Sequence, residues 1–105
     1  MDFEELAEDI GIEEDDYWEL IELFVETGQS DLDKLHSAIV VGDAQQAASA
    51  VHSLKGAARS LGLAELSEIA EGIEEKALNG QLEGIAESVQ VLKERLDETA
   101  KLAGR

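Results

Sequence analysis

Residues 43–63, DAQQAASAVHSLKGAARSLGL, carry the reading of the fold. Ala47, Val51, Leu54, Ala58 and Leu61 recur at spacings of three and four, the apolar stripe of an amphipathic helix. Gly42-Asp43 supplies a glycine that ends one helix and an N-cap aspartate that starts the next. Leu61-Gly62-Leu63 interrupts the pattern again. A helix over 43–61 is expected.

The same period extends in both directions. Tyr17, Leu20, Ile21, Phe24, Leu32, Leu35 and Ile39 mark a helix over 13–41, with Gly28 inside the stripe. A glycine there costs about 1 kcal/mol against alanine, which points to a close helix contact. Leu66, Ile69, Ala70, Ile73 and Ala77 mark 64–78, which Asn79-Gly80 closes. Leu82, Ile85, Val89, Leu92, Leu96 and Ala100 mark 81–102. A short helix over 2–9, closed by Gly11, would pack on one end through Phe3 and Leu6, with Tyr17 and Trp18 in or at the edge of the core. With no proline to interrupt it, the chain is expected to be all-α. The architecture is an antiparallel up-down four-helix bundle with a short extra N-terminal helix, one domain over 1–105.

Composition narrows the function. The chain of 105 residues has 25 acids, 8 bases and a net charge of -17. Such a surface repels nucleic acid and anionic membranes. Zero cysteines removes disulfides, thiolate catalysis and cysteine-ligated metals. The acidic N-terminus lacks a signal peptide's basic start and apolar run, and no stretch is long enough to span a bilayer, so a cytoplasmic protein is expected. No G-x-x-x-x-G-K-S/T loop offers a nucleotide site.

The charge is unevenly spread. Residues 1–51 hold 15 acids and one base, Lys34, whereas residues 52–105 hold 10 acids and 7 bases. From Ala44 through Ala64 there is no acid, and that window contains His52, Lys55 and Arg59. Spacings of three and seven put these three on one helix face, offset from the core stripe. The helical neighbours of His52 are small: Ala48, Ser49 and Gly56. An uncrowded imidazole beside two cations suits a phosphoryl acceptor, because imidazole is largely neutral and nucleophilic near pH 7 and cations stabilise the transferring phosphoryl oxygens. If helices 43–61 and 64–78 fold back about Leu63, residue n lies level with residue 126−n. His52 then meets Glu74, and Lys55 meets Glu71. A Glu74 carboxylate would fix the Nδ1–H tautomer and leave Nε2 free.

His52-Ser53-Leu54-Lys55-Gly56, followed by a second glycine at Gly62 and a further helix, resembles the H-x-x-K-G motif of histidine phosphotransfer (HPt) domains of two-component phosphorelays. The resemblance covers the chain, from helix 13–41 to Asn79-Gly80. It implies a phosphocarrier and not an enzyme, with His52 taking and giving the phosphoryl group and Lys55 assisting. It also implies Glu74 hydrogen-bonded to the histidine, and Gly56 leaving room for the partner. Ala48, Ser49 and Arg59 are candidate docking residues around it. The implied partners are a sensor histidine kinase and a response-regulator receiver domain, the latter carrying the Mg²⁺. No cofactor is expected on this chain, and the bundle is expected to act as a monomer.

Rival readings fit less well. Asp31 and Asp33 suggest a calcium loop, but His36 stands where its glycine belongs. Di-iron bundles require Glu-x-x-His, and Asp33-x-x-His36 and Ser49-x-x-His52 do not supply it. No metal site is therefore expected. An acyl carrier needs a serine at a helix start, and Ser30-Asp31-Leu32 lies within a stripe. A non-catalytic acidic helical adaptor or carrier bundle is the alternative, and it leaves the surroundings of His52 unexplained.

Overall fold

The computed structural model describes residues 3–103 and contains five helices among them. They are α1 (Phe3–Ile10), α2 (Glu14–Val41), α3 (Ala44–Ser60), α4 (Ala64–Leu78) and α5 (Ala86–Ala103). The last four form the antiparallel up-down bundle, packed in a ring in which α2 touches α3, α3 touches α4, α4 touches α5 and α5 closes on α2. At about 1.5 Å per residue, the 28 residues of α2 span the full 41 Å long axis.

Each boundary has a local cause. Gly42 ends α2 in the left-handed region (φ +73°), and the next amide, of Asp43, reaches back to the Ala38 carbonyl at 2.8 Å. Asp43 caps α3 by accepting from the Gln46 amide at 3.0 Å. Gly62 turns the chain from α3 to α4, and the Leu63 amide bonds the Ala58 carbonyl at 2.9 Å. Tyr17 on α2 fastens this turn: its hydroxyl donates to the Leu61 carbonyl at 2.6 Å. Burial pushes the Tyr17 phenol up to about 12.

The core is built from Tyr17, Ile21, Phe24, Leu35, Val51, Leu54, Leu66, Ile73, Leu92 and Leu96, among others. Phe3 of α1 is buried against this core, its ring 6.0 Å from Tyr17 and 4.4 Å from Trp18. Leu6 is partly buried beside it. Asp2, the start of the expected helix 2–9, lies outside the described residues.

Three expectations need correction. The last helix begins at Ala86, not at 81. Leu82 and Ile85 fit the helical stripe, yet Gly80 and Gly84 take φ of +72° and +82°, which a helix cannot contain. Ile85 nevertheless reaches the core from the loop, and its carbonyl accepts the Val89 amide of α5's first turn. Leu20 is exposed. Adjacent helical positions point about 100° apart, and the core line of α2 runs through Ile21 instead. Ala48 is buried and offers little surface to a partner. Gly28 behaves as its spacing suggests: a Cβ there would stand 3.1 Å from Leu96 Cδ2, so the glycine lets α2 and α5 approach.

Candidate functional site

The seam between α3 and α4 holds the polar cluster. α3 is rich in alanine, which favours helix and allows close packing, and it packs against α4, with Lys55 reaching across to Glu74. His52 stands on the outer side of that seam with its side chain 67% exposed, while Glu74 and Lys55 are tucked in at 12% and 14%. The Glu74 carboxylate is shared. Its Oε2 lies 2.6 Å from His52 Nδ1, and its Oε1 accepts from Lys55 Nζ at 2.5 Å. Burial alone would raise the Glu74 carboxyl. The hydrogen bonds from Lys55 and His52, with their charges, outweigh it and hold the group below its usual value.

The tautomer follows from this. An ionised carboxylate only accepts, so the bond at 2.6 Å places the proton on Nδ1. In neutral imidazole, Nε2 then carries the lone pair. Lys55 fixes the other carboxylate oxygen, so Glu74 cannot rotate away without losing both partners.

The pairing differs from the expected register in one respect: Lys55 bonds Glu74, and Glu71 instead faces Arg59 at 3.9 Å. Side chains lean toward the N-terminus of their own helix. In an antiparallel pair, Lys55 leans down α3 while Glu74 leans up α4, and they meet between their levels. Arg59 and Glu71 are offset in the same sense, one turn further on. Both are exposed, so this longer pair contributes at most ~1 kcal/mol and leaves the guanidinium free to move.

Gly56 is exposed at mid-helix, and a Cβ built on it meets nothing within 4 Å. Packing inside the chain therefore gives no reason for the glycine. Ser49 is also exposed, and together with Gly56 it keeps the surface around the imidazole low. Leu78 is an addition that the hydrophobic stripe did not single out. It is 70% exposed and lies four residues, one helical turn, beyond Glu74 on the same line of α4. The spacing is readable in the sequence, but it acquires meaning only once Glu74 is seen against His52.

The second histidine is placed differently. His36 is exposed in a cleft between α2 and α5 with Leu32, Asp33, Val89, Lys93 and Asp97. In the ring of helices this is the edge opposite the α3/α4 seam. Among the described residues, no cluster of three or more His, Asp or Glu is arranged to hold a metal ion, and no helix is long and apolar enough to cross a membrane.

The sequence pattern of the Hpt domain family matches residues 19–101, most of the chain. The chain belongs to the Hpt family. As an Hpt domain it is a histidine phosphotransfer module of phosphorelays. Its fold is similar to the crystal structure of histidine-containing phosphotransfer protein B (HptB) from Pseudomonas aeruginosa PAO1, with a TM-score of 0.84 and 28% identity. That match covers 94% of this Hpt domain and 86% of the other chain. No curated protein sequence matches it.

Proposed function

We propose that His52 is the phosphoacceptor of this Hpt domain, and that the chain carries a phosphoryl group from a sensor kinase or receiver aspartate to a response-regulator receiver. The observation that carries this reading is the shared Glu74 carboxylate. It holds Nδ1–H on one side and Lys55 on the other, and leaves Nε2 on the exposed side of the ring.

In the transfer step the Nε2 lone pair forms a bond to phosphorus. The donor's P–O bond (aspartyl phosphate) or P–N bond (phosphohistidine) breaks, and its electron pair returns to the donor's carboxylate oxygen or ring nitrogen. The imidazole gains positive charge as the new bond forms, and the Glu74 carboxylate, already bonded to Nδ1–H, stabilises that charge. Return transfer reverses the same movements. Lys55 steadies Glu74 and adds positive charge near the phosphoryl oxygens, and Arg59 is placed to swing from Glu71 toward them. Gly56 and Ser49 keep the surface low where the partner rests, the exposed Leu78 offers it an apolar contact, and the buried Ala48 adds little to it. The nucleotide and the Mg²⁺ belong to the partners in this scheme. The test is phosphoryl transfer from a phosphorylated receiver. Wild type is expected to acquire an acid-labile, base-stable label that His52→Gln abolishes, and a label surviving His52→Gln would overturn the assignment.

A further inference from the structure

Lys55 and Arg59 share the His52 face of α3, and a third cation, Lys34, lies across a cleft from the neighbours of His52; their charges are not equally available. Lys55 is bonded to Glu74, and Arg59 lies against Glu71. Lys34 forms no ion pair among the described residues. It is also the single base among the first 51 residues, against 15 acids. Its position in the fold is specific: with Asp31 of α2 it lines a shallow cleft whose α3 wall is Gln46, Ser49, Ala50 and Ser53. Ser49 and Ser53 are the residues three before and one after His52. Lys34 therefore lies on the α2 side of the α3 turn that carries His52, whereas Lys55 and Arg59 lie on its α4 side.

We propose that Lys34 steers the phosphoryl donor to His52, as the one cation of the three that forms no ion pair among the described residues. This rests on His52 being the phosphoacceptor. Every donor presents negative charge, and a chain with a net charge of -17 repels it over most approaches. An unpaired ammonium on the approach to the acceptor makes that approach locally less repulsive. Lys34 and His52 stand on neighbouring helices, whose axes pack about 8–10 Å apart, and are not in contact, so the ammonium acts by field, and a separation on the order of 10 Å sets the scale of the effect. Asp31 in the same cleft acts against it, so removing that carboxylate strengthens the effect.

Phosphoramidate, a small anionic donor, tests the proposal without a cognate partner. Nε2 forms the new P–N bond, and ammonia leaves with the electron pair of the old one. The rate of His52 labelling is followed at ionic strengths from about 10 mM to 1 M, over which the screening length falls from about 30 to 3 Å. At the low end Lys34→Glu is expected to label about fourfold more slowly, the factor for reversing one charge about 10 Å from the reaction in water. Lys34→Gln is expected to be about twofold slower, Asp31→Asn about twofold faster, and Lys34→Arg unchanged. All differences should vanish at 1 M. Lys93→Glu, the same charge reversal on the opposite edge, should leave the rate near wild type. An unchanged rate in Lys34→Glu at low salt, or equal slowing in Lys93→Glu, overturns the proposal while leaving the phosphoacceptor intact. Labelling that survives His52→Gln overturns both.

Discussion

The two opposite edges of the bundle hold similar residues and use them differently. The α3/α4 edge has His52, Lys55, Glu74 and the mid-helix Gly56, and the α2/α5 edge has His36, Lys93, Asp33 with Asp97, and the mid-helix Gly28. At the first edge one carboxylate bonds both the imidazole and the ammonium. At the second, His36 and Lys93 form no hydrogen bond or ion pair among the described residues. The glycines differ as well. Gly28 is closed in by Leu96, whereas the space over Gly56 is open. A histidine with acids and a lysine nearby is therefore not in itself a site. What separates the edges is a fixed tautomer and a space that the chain's own packing leaves unexplained.

The largest expected effect breaks the comparison directly. His52→Gln should abolish phosphoryl transfer, while His36→Gln leaves it within about twofold, as is usual for a surface substitution; transfer assays with one phosphorylated receiver read both. Next comes Glu74→Ala, which removes the group fixing the tautomer. Transfer should slow by about 10- to 100-fold, the range for losing a group that orients a functional histidine, with the helical circular dichroism retained. An unchanged rate would remove Glu74 from the mechanism.

The glycines should respond in opposite directions. Gly56→Ala is expected to stabilise the bundle by up to about 1 kcal/mol, since it improves helix propensity without meeting any atom. It should also slow transfer to a receiver severalfold by raising the docking surface. Gly28→Ala gains the same propensity but forces a Cβ onto the buried Leu96 side chain. Overpacking costs about 1–3 kcal/mol, so net destabilisation is expected with transfer unchanged. Chemical denaturation alongside transfer rates separates the two.

The smallest effect concerns pH. The folded state holds the Glu74 carboxyl below its unfolded value. Its contribution to stability is therefore complete at neutral pH and is lost as pH falls through that lowered value, below the usual carboxylate range of about 4.3. The stability difference between wild type and Glu74→Gln should be constant near neutrality and shrink under acid, as measured by urea denaturation from pH 7 to 3.

Much of this organisation was legible in the sequence, for identifiable reasons. Apolar spacing and the Gly42-Asp43 and Leu61-Gly62-Leu63 breaks give α2, α3 and α4 nearly to the residue, because capping and periodicity agree there. The start of α5 is not legible in the spacing, because Leu82 and Ile85 obey the period from within a loop that glycines hold open. The pairing of His52 with Glu74 followed from simple fold-back geometry. The partner of Lys55 did not, because long side chains meet between levels and not across them. The burial of Ala48 and the exposure of Leu78 depend on how the helices pack, which spacing alone does not specify.

The central claim is that His52 Nε2 bonds phosphorus while Glu74 retains Nδ1–H. Phosphorus–nitrogen coupling in the NMR spectrum of phosphorylated, ¹⁵N-histidine-labelled protein reads this most directly. The account predicts one phosphorylated ring, assigned to His52, with phosphorus on Nε2 and a protonated Nδ1. Phosphorus on Nδ1 of His52, or on His36, would contradict it.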